Sequence, residues 1–135
     1  MVIDASVAFK WLVEEEDSSV AIALLSQDNL SAPQLIVAEV GNAMWKRITR
    51  GEMGDPEGAA ADIGRLPEMV ALLRDSDLSP RALALACELG HPIYDCFYLA
   101  AAEHQSDVLV TADQRFLRKT VGTQYARFVR SLSEC

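Results

Sequence analysis

Short apolar segments separated by helix-forming stretches constrain the fold of this chain more than any other feature. The clearest of them, residues 107–111, is rich in Val and Leu and predicts a buried strand. Similar patterns predict strands at 1–4, 29–32, 69–73 and 125–132. Strands that alternate with helices imply right-handed crossovers and a mostly parallel sheet covered on both faces. We therefore expect a three-layer α/β/α fold with a central sheet of about five strands.

The intervals between these segments carry helix signals. Ser6 is expected to cap the first helix, and Ser79-Pro80 to begin a later one. The predicted helices span 8–13, 20–25, 34–49, 56–63, 81–89, 93–104 and 114–119.

Length and composition indicate one soluble domain over residues 1–135. Half of the residues are hydrophobic, which suffices for a core without disulfides. No apolar run approaches the length of a membrane span, and no signal-peptide pattern opens the chain. The three cysteines show no CxxC spacing. These features predict a cytoplasmic protein.

The formal net charge of −8 argues, taken alone, against a nucleic-acid partner. The distribution weakens this objection, because residues 115–130 contain five basic side chains and no acid. A second basic cluster comprises Lys46, Arg47 and Arg50. A solvated helix face is the favoured interpretation for any one of these residues. Their segregation nevertheless hints at a basic rim that would suit RNA, with candidate contacts at Arg115, Arg118 and Lys119.

Two acids follow predicted strands. Asp4 and Asp113 lie at the carboxyl ends of the first and fourth strands, where parallel sheets bind their ligands. An acid after a strand is also a common helix cap, so each residue alone leaves both interpretations open. Thr111 lies two residues before Asp113, so in an extended segment the two side chains point to the same side.

Two further acids occur within predicted helices. Glu39 interrupts an apolar stretch, and a buried acid there would need a partner or a metal. Asp95 lies in the first turn of an apolar helix. Its charge either interacts favourably with the helix dipole there or points into a pocket.

Together, Asp4, Glu39, Asp95 and Asp113 indicate a metal site. Two carboxylates ~4 Å apart repel each other by about 4 kcal/mol at an effective dielectric constant of 20, so four of them need protons or cations. Oxygen ligands without His or Cys favour Mg²⁺ or Mn²⁺ over zinc. Carboxylate-bound divalent metals typically hydrolyse phosphate esters.

Four segments of the chain resemble the signatures of the PIN domain, in that family's order and at its usual separations. They are VIDAS at 2–6, AEVGN at 38–42, YDCFYLA at 94–100 and VTAD at 110–113. The length and the strand near Met1 are similar to the VapC toxins of bacterial toxin–antitoxin pairs. Ala5 and Ala112 depart from the family pattern, where Thr and Asn are frequent, but neither is a metal ligand.

The resemblance implies a parallel sheet of about five strands and an active site built on the four acids. Ser6 and Thr111 would support these acids, and Asn42 would line the pocket. The implied activity is Mg²⁺- or Mn²⁺-dependent endoribonuclease cleavage of tRNA or ribosomal RNA hairpins, leaving 5′-phosphate and 3′-hydroxyl ends. The implied partners are a second copy of the chain and a VapB-like antitoxin.

Two other functions compete with this prediction. A receiver or aspartyl-phosphatase domain also places acids at strand ends, but it requires a second acid beside Asp4 or a DxD motif, where this chain has Ala5 and Ser6. A PIN-like module that binds RNA or protein without catalysis would show the same fold.

Overall fold

The structure, a computed structural model, describes residues 1–135 and contains a five-stranded sheet. All its strands are short. They are β1 (Val2–Ile3), β2 (Ser31–Pro33), β3 (Ala71–Leu73), β4 (Leu109–Thr111) and β5 (Val129–Ser131).

Eight α-helices connect the strands. They are α1 (Ala5–Leu12), α2 (Ser18–Ala23), α3 (Leu35–Thr49), α4 (Pro56–Gly64), α5 (Leu66–Met69), α6 (Asp75–Leu89), α7 (Ile93–Gln105) and α8 (Gln114–Thr120). Three 3₁₀ turns, Leu24–Ser26, Gln124–Phe128 and Leu132–Glu134, complete the chain. None of the helices combines the length and the apolar character that crossing a bilayer demands.

The strand order is β3-β2-β1-β4-β5, and every pairing is parallel. The first crossovers run from β1 towards β3, and the chain then returns to the other side of β1 to form β4. Because such crossovers are right-handed, the two directions place helices on opposite faces of the sheet. Contacts of α1 with α3, and of α6 with α7, mark the two helical layers. The predicted three-layer α/β/α fold is confirmed.

The reversal between β1 and β4 determines where a site can form. Val2 lies opposite Leu109, and Ile3 opposite Val110, so both strands end at the same edge of the sheet. The loops that follow them diverge there and leave a crevice. Asp4 and Asp113 belong to these two loops.

The first helix begins earlier than the sequence predicted. Asp4, rather than Ser6, caps α1, and its carboxylate accepts a hydrogen bond from the backbone N–H of Val7. Ser6 instead lies in the first turn. Asp and Ser are equally good caps, and the end of β1 at Ile3 decides between them.

Helix α6 begins at Asp75 rather than at Ser79-Pro80. The negative charges of Asp75 and Asp77 lie in the first turn of α6, where they interact favourably with the positive end of the helix dipole. Pro80 cannot donate to the carbonyl of Ser76, and the Ser79 hydroxyl donates to that carbonyl instead, at 3.4 Å. Local side-chain chemistry thus lets the helix extend through a residue that the sequence analysis treated as its start.

The strands at 29–32 and 125–132 are shorter than predicted. Asn29 adopts φ 65°, a left-handed conformation that no strand contains, so β2 starts only at Ser31. Tyr125 and Leu132 lie in the 3₁₀ turns that flank β5. Both apolar side chains are buried, but a single apolar pattern does not distinguish a strand from a tight turn.

We predict that the α6–α7 layer depends on inward-facing leucines. Replacing the fully buried Leu85 by Ala should lower the free energy of unfolding by about 2–5 kcal/mol, because it leaves a cavity. Leu83 lies on the same helix but is 57% exposed, so Leu83→Ala should change stability by less than about 0.5 kcal/mol. Urea unfolding of both variants measures the difference, and equal effects would contradict the assignment of the two faces.

Candidate active site

A cavity of about 520 Å³ opens at the edge of the sheet where β1 and β4 end. All four predicted acids, Asp4, Glu39, Asp95 and Asp113, line it. They come from the β1–α1 loop, α3, α7 and the β4–α8 loop. The fold therefore brings together acids that are up to 109 positions apart in the sequence (113 − 4).

Asp4 lies deepest and is only 5% exposed. Its Oδ1 accepts hydrogen bonds from Ser6 Oγ at 2.6 Å and from the Val7 N–H at 3.1 Å. Its Oδ2 accepts one from the hydroxyl of Thr111 on β4. Burial raises the pKa of Asp4 to about 6, because loss of hydration outweighs these hydrogen bonds, and the charge of Asp95 adds to the rise.

Glu39 and Asp95 each receive one hydrogen bond from a buried neighbour. Tyr98 Oη donates to Glu39 Oε2 at 2.8 Å, and burial, together with the charges of Asp95 and Asp4, raises the pKa of Glu39 to about 7. His91 Nε2 lies 2.5 Å from Asp95 Oδ2. Burial also raises the pKa of Asp95, although the hydrogen bond from His91 opposes the rise.

Asp113 caps α8. Its Oδ1 accepts hydrogen bonds from the N–H groups of Arg115 and Phe116, at 2.8 and 3.2 Å, and its Oδ2 accepts none from the protein. The Asp113 N–H in turn donates to Thr111 Oγ1 at 3.0 Å. The same carboxylate thus fixes the start of a helix and keeps one oxygen available to a ligand.

The predicted supporting residues are placed in different ways. Ser6 links the two loops, because its hydroxyl donates to Asp4 and accepts from the Ala112 N–H at 2.9 Å. Thr111 is fully buried and bonds to Asp4, whereas Asn42 is exposed and lines the cavity. The three predicted RNA contacts, Arg115, Arg118 and Lys119, are exposed on α8 and do not line the cavity.

Four other basic side chains line the cavity instead: Lys10, Lys46, Arg47 and Arg50. We call this set the basic wall. Three of its members formed the second basic cluster in the sequence, but Lys10 comes from α1, and only the packing of α1 against α3 brings it to the others. No sequence signal pointed to Lys10.

His91 and Tyr98 are parts of the site that the sequence did not predict. Tyr98 has the helical spacing of a core residue, and it is indeed buried, yet its hydroxyl reaches Glu39. His91 is buried beside the ring of Phe116, and its Nδ1 has no hydrogen-bond partner. Its single polar contact is therefore Asp95, and its position four residues before Asp95 was the only available signal.

The donor set suits a hard divalent cation. It consists of carboxylates, with hydroxyl and amide oxygens nearby and no thiolate among the lining residues. Three of the four carboxyl groups have raised pKa values, which shows that the site resists accumulating negative charge. No three acidic, His or Cys side chains are placed to chelate one ion together. Mg²⁺ requires fewer, since it keeps several waters and commonly binds one or two protein carboxylates.

The family follows from comparison with known proteins. A family model described as the PIN domain matches residues 1–121, and the chain belongs to this family. The resemblance found in the four sequence segments is confirmed, and so is its VapC-like character, since the curated relatives are VapC proteins.

Two of these relatives come from Pyrobaculum aerophilum. Ribonuclease VapC3 is 32% identical over 123 residues, which cover 88% of this chain and 93% of the relative. Exonuclease VapC9 is 33% identical over 96 residues, 71% of each chain. Ribonuclease VapC1 of Mycobacterium tuberculosis is 29% identical over 117 residues, 84% of this chain and 86% of the relative.

Two solved structures share the fold. A crystal structure of a protein from Pyrobaculum aerophilum superposes with a TM-score of 0.69 at 26% identity, covering 98% of this chain and 83% of that one. A toxin–antitoxin complex from Klebsiella pneumoniae gives a TM-score of 0.69 at 14% identity, with coverage of 97% and 96%. The second likeness concerns the fold alone.

The raised pKa values predict that stability in EDTA falls as pH rises. Asp4 and Glu39 titrate near 3.8 and 4.5 when unfolded, but near 6 and 7 in the folded protein. The folded state binds more protons between these values, so the free energy of unfolding should fall between about pH 4 and pH 7.5. Solvent screening at the partly exposed Glu39 reduces the full conversion of about 6 kcal/mol to roughly 2–4 kcal/mol. Urea unfolding at several pH values measures this. Glu39→Gln, which can still accept from Tyr98, should make the decline shallower, and an equally steep decline would contradict the assignment.

We also predict that Asp95→Asn raises the melting temperature in EDTA. The amide oxygen can still accept from His91, while the charge that raises the pKa of its neighbours is removed. A gain of about 1 kcal/mol corresponds to roughly 3–6 °C for a chain of this size. Asp28→Asn, at an exposed residue outside the cavity, is the matched control and should leave the melting temperature unchanged. A lower melting temperature for Asp95→Asn would show that repulsion in the site is negligible.

Proposed function

We propose that this chain is a Mg²⁺- or Mn²⁺-dependent endoribonuclease, the toxin of a VapBC-type pair, and that residues 1–135 form one nuclease unit acting in the cytoplasm. The observation that carries the proposal is the meeting of four carboxylates from four separate segments in one cavity, in a member of the PIN-domain family. Relatives named ribonucleases support RNA as the substrate. The family assignment removes the receiver and phosphatase alternatives.

The residues proposed to hold the metal, one or two of them directly and the others through its bound waters, are Asp4, Glu39, Asp95 and Asp113. A bound divalent cation would neutralise the carboxylates and activate a water molecule for attack on the phosphodiester. The chain's own contribution is to hold these carboxylates in place, because each accepts a hydrogen bond from a donor fixed in the fold: Ser6 and Thr111, Tyr98, His91, and the N-terminus of α8. Asn42 and the exposed basic residues of α8, Arg115, Arg118 and Lys119, are proposed to contact the RNA outside the metal site.

An antitoxin partner and a homodimer belong to the same proposal. An apolar groove between α3 and α4 supports the antitoxin partner, because it leaves Trp45 59% exposed. The groove is also lined by Met44, Ile48 and Ile63. Exposed aromatic surface of this kind marks protein contacts. Co-purification with the product of a neighbouring reading frame, and the mass in solution by light scattering, test the two partners separately.

The central test is cleavage of structured RNA, using tRNA and ribosomal hairpins with Mn²⁺. Wild type and the Asp28→Asn control should cleave, whereas Asp95→Asn should lose about 100-fold or more in rate, because one proposed metal ligand is lost. Mn²⁺ should also raise the melting temperature of the wild type, and do so less for Asp95→Asn. Binding of RNA without cleavage would identify a catalytically silent PIN-like module instead.

One relative is named an exonuclease, so a separate substrate is needed to distinguish endonuclease from exonuclease activity. A circular RNA has no ends, so an endonuclease linearises it and an exonuclease leaves it intact. We expect linear products that carry a 5′-phosphate. Intact circles beside degraded linear RNA would replace the endonuclease proposal with an exonuclease.

A further inference from the structure

The lining of the cavity contains two chemically opposite groups of side chains. One group is the set of carboxylates, and the other is the basic wall, comprising Lys10, Lys46, Arg47 and Arg50. A protein with a net charge of −8 therefore presents four cations to whatever enters this cavity. Such a concentration of like charge in one crevice attracts anions despite the overall charge.

Two members of the basic wall already hold an anion. Glu15 also lines the cavity, and its Oε2 lies 2.8 Å from Arg47 Nη2, while its Oε1 lies 3.7 Å from Lys10 Nζ. The two oxygens of one carboxylate thus bridge a guanidinium and an ammonium. Two oxygens of a phosphodiester present the same charge and bind the same donors.

Arg47 and Lys10 are held in place independently of Glu15. The Arg47 guanidinium lies over the Phe9 ring, 5.5 Å from its centroid, and its Nε lies 3.3 Å from Glu52 Oε2. Lys10 Nζ donates to the carbonyl oxygen of Glu16 at 2.7 Å. An anion that replaced the Glu15 carboxylate would therefore find both donors already positioned.

Glu15 itself is suited to displacement. It lies in the α1–α2 loop, where its backbone N–H donates to Ser18 Oγ, so the main chain is anchored while the side chain is about one-quarter exposed. A partly exposed ion pair contributes little to stability, because water screens it. A phosphate that displaces it gains charge-assisted bonds and releases counterions from the nucleic acid.

We propose that Lys10 and Arg47 form a second phosphate subsite for the RNA strand, and that Glu15 is an internal competitor that an RNA phosphate displaces on binding. This inference rests on the proposed function: a strand whose scissile phosphate lies at the carboxylates carries its neighbouring phosphates along the same cavity. Glu15 then restricts binding to ligands with several phosphates, and isolated anions compete poorly.

The test measures the affinity of a fluorescent single-stranded RNA by anisotropy, with Mg²⁺, on the non-cleaving Asp95→Asn background and at several KCl concentrations. Glu15→Gln should tighten binding roughly fivefold, because the competitor loses its charge. Glu14→Gln is the matched control, because it changes the net charge by the same amount as Glu15→Gln. Glu14 precedes Glu15 in the sequence, is exposed and makes no ion pair. It should alter affinity by less than about twofold, since salt and water screen an exposed charge that makes no ion pair.

Arg47→Gln should weaken binding about tenfold and reduce the slope of log K against log salt by about one. In the Arg47→Gln background, Glu15→Gln should no longer tighten binding, which a double-mutant cycle detects as coupling. If the melting temperature shows that Arg47→Gln is misfolded, Lys10→Gln replaces it in the same cycle.

The outcomes separate the two proposals. If the protein binds RNA but Glu15→Gln and Glu14→Gln act alike, the subsite is refuted and the proposed nuclease stands. If neither wild type nor Glu15→Gln binds RNA at low salt, both proposals fail. If polyglutamate displaces the RNA at an equal concentration of charges, the wall recognises acidic peptides, and the phosphate subsite is refuted.

Discussion

The loss of hydration around a group of carboxylates, increased by their mutual repulsion, is the constraint on which this structure depends. The parallel sheet ends at one edge, and the reversal of strand order at β1 places Asp4 and Asp113 on either side of a crevice. Glu39 and Asp95 add further charge from α3 and α7. The fold tolerates this only because each acid receives a hydrogen bond from a rigid donor, and because burial shifts three of them towards the protonated form.

The donors show how closely the core and the site are joined. Tyr98 and Thr111 are core residues by burial, yet both end in a hydroxyl that contacts an acid. The only polar contact of the His91 side chain is with Asp95. Rigidity in the core is therefore transmitted to the carboxylates, which is the requirement for holding a ligand in a fixed geometry.

The sequence predicted the features that depend on local pattern and failed where tertiary contacts decide. The alternation of strands and helices was sufficient to predict the layer architecture. The position of Asp4 and Asp113 after strands predicted that they lie at the same edge of the sheet, where both line the cavity. The start of α6 was missed because Ser79 compensates for Pro80, a local exchange that propensity does not describe. Lys10 was missed because packing of α1 on α3 brings it to the cavity. His91 was missed because its burial between two exposed residues, Gly90 and Pro92, and its contact with Asp95 are set by the tertiary fold.

The double role of Asp4, as a cavity carboxylate and as a helix cap, limits which residues can replace it. The carboxylate that faces the cavity also begins α1, whose inward side chains Val7, Ala8 and Phe9 belong to the core. Asn or Ser would preserve the cap without the charge, whereas an aliphatic residue would remove both. Related chains that lose this negative charge but remain folded should therefore carry a small polar residue at this position.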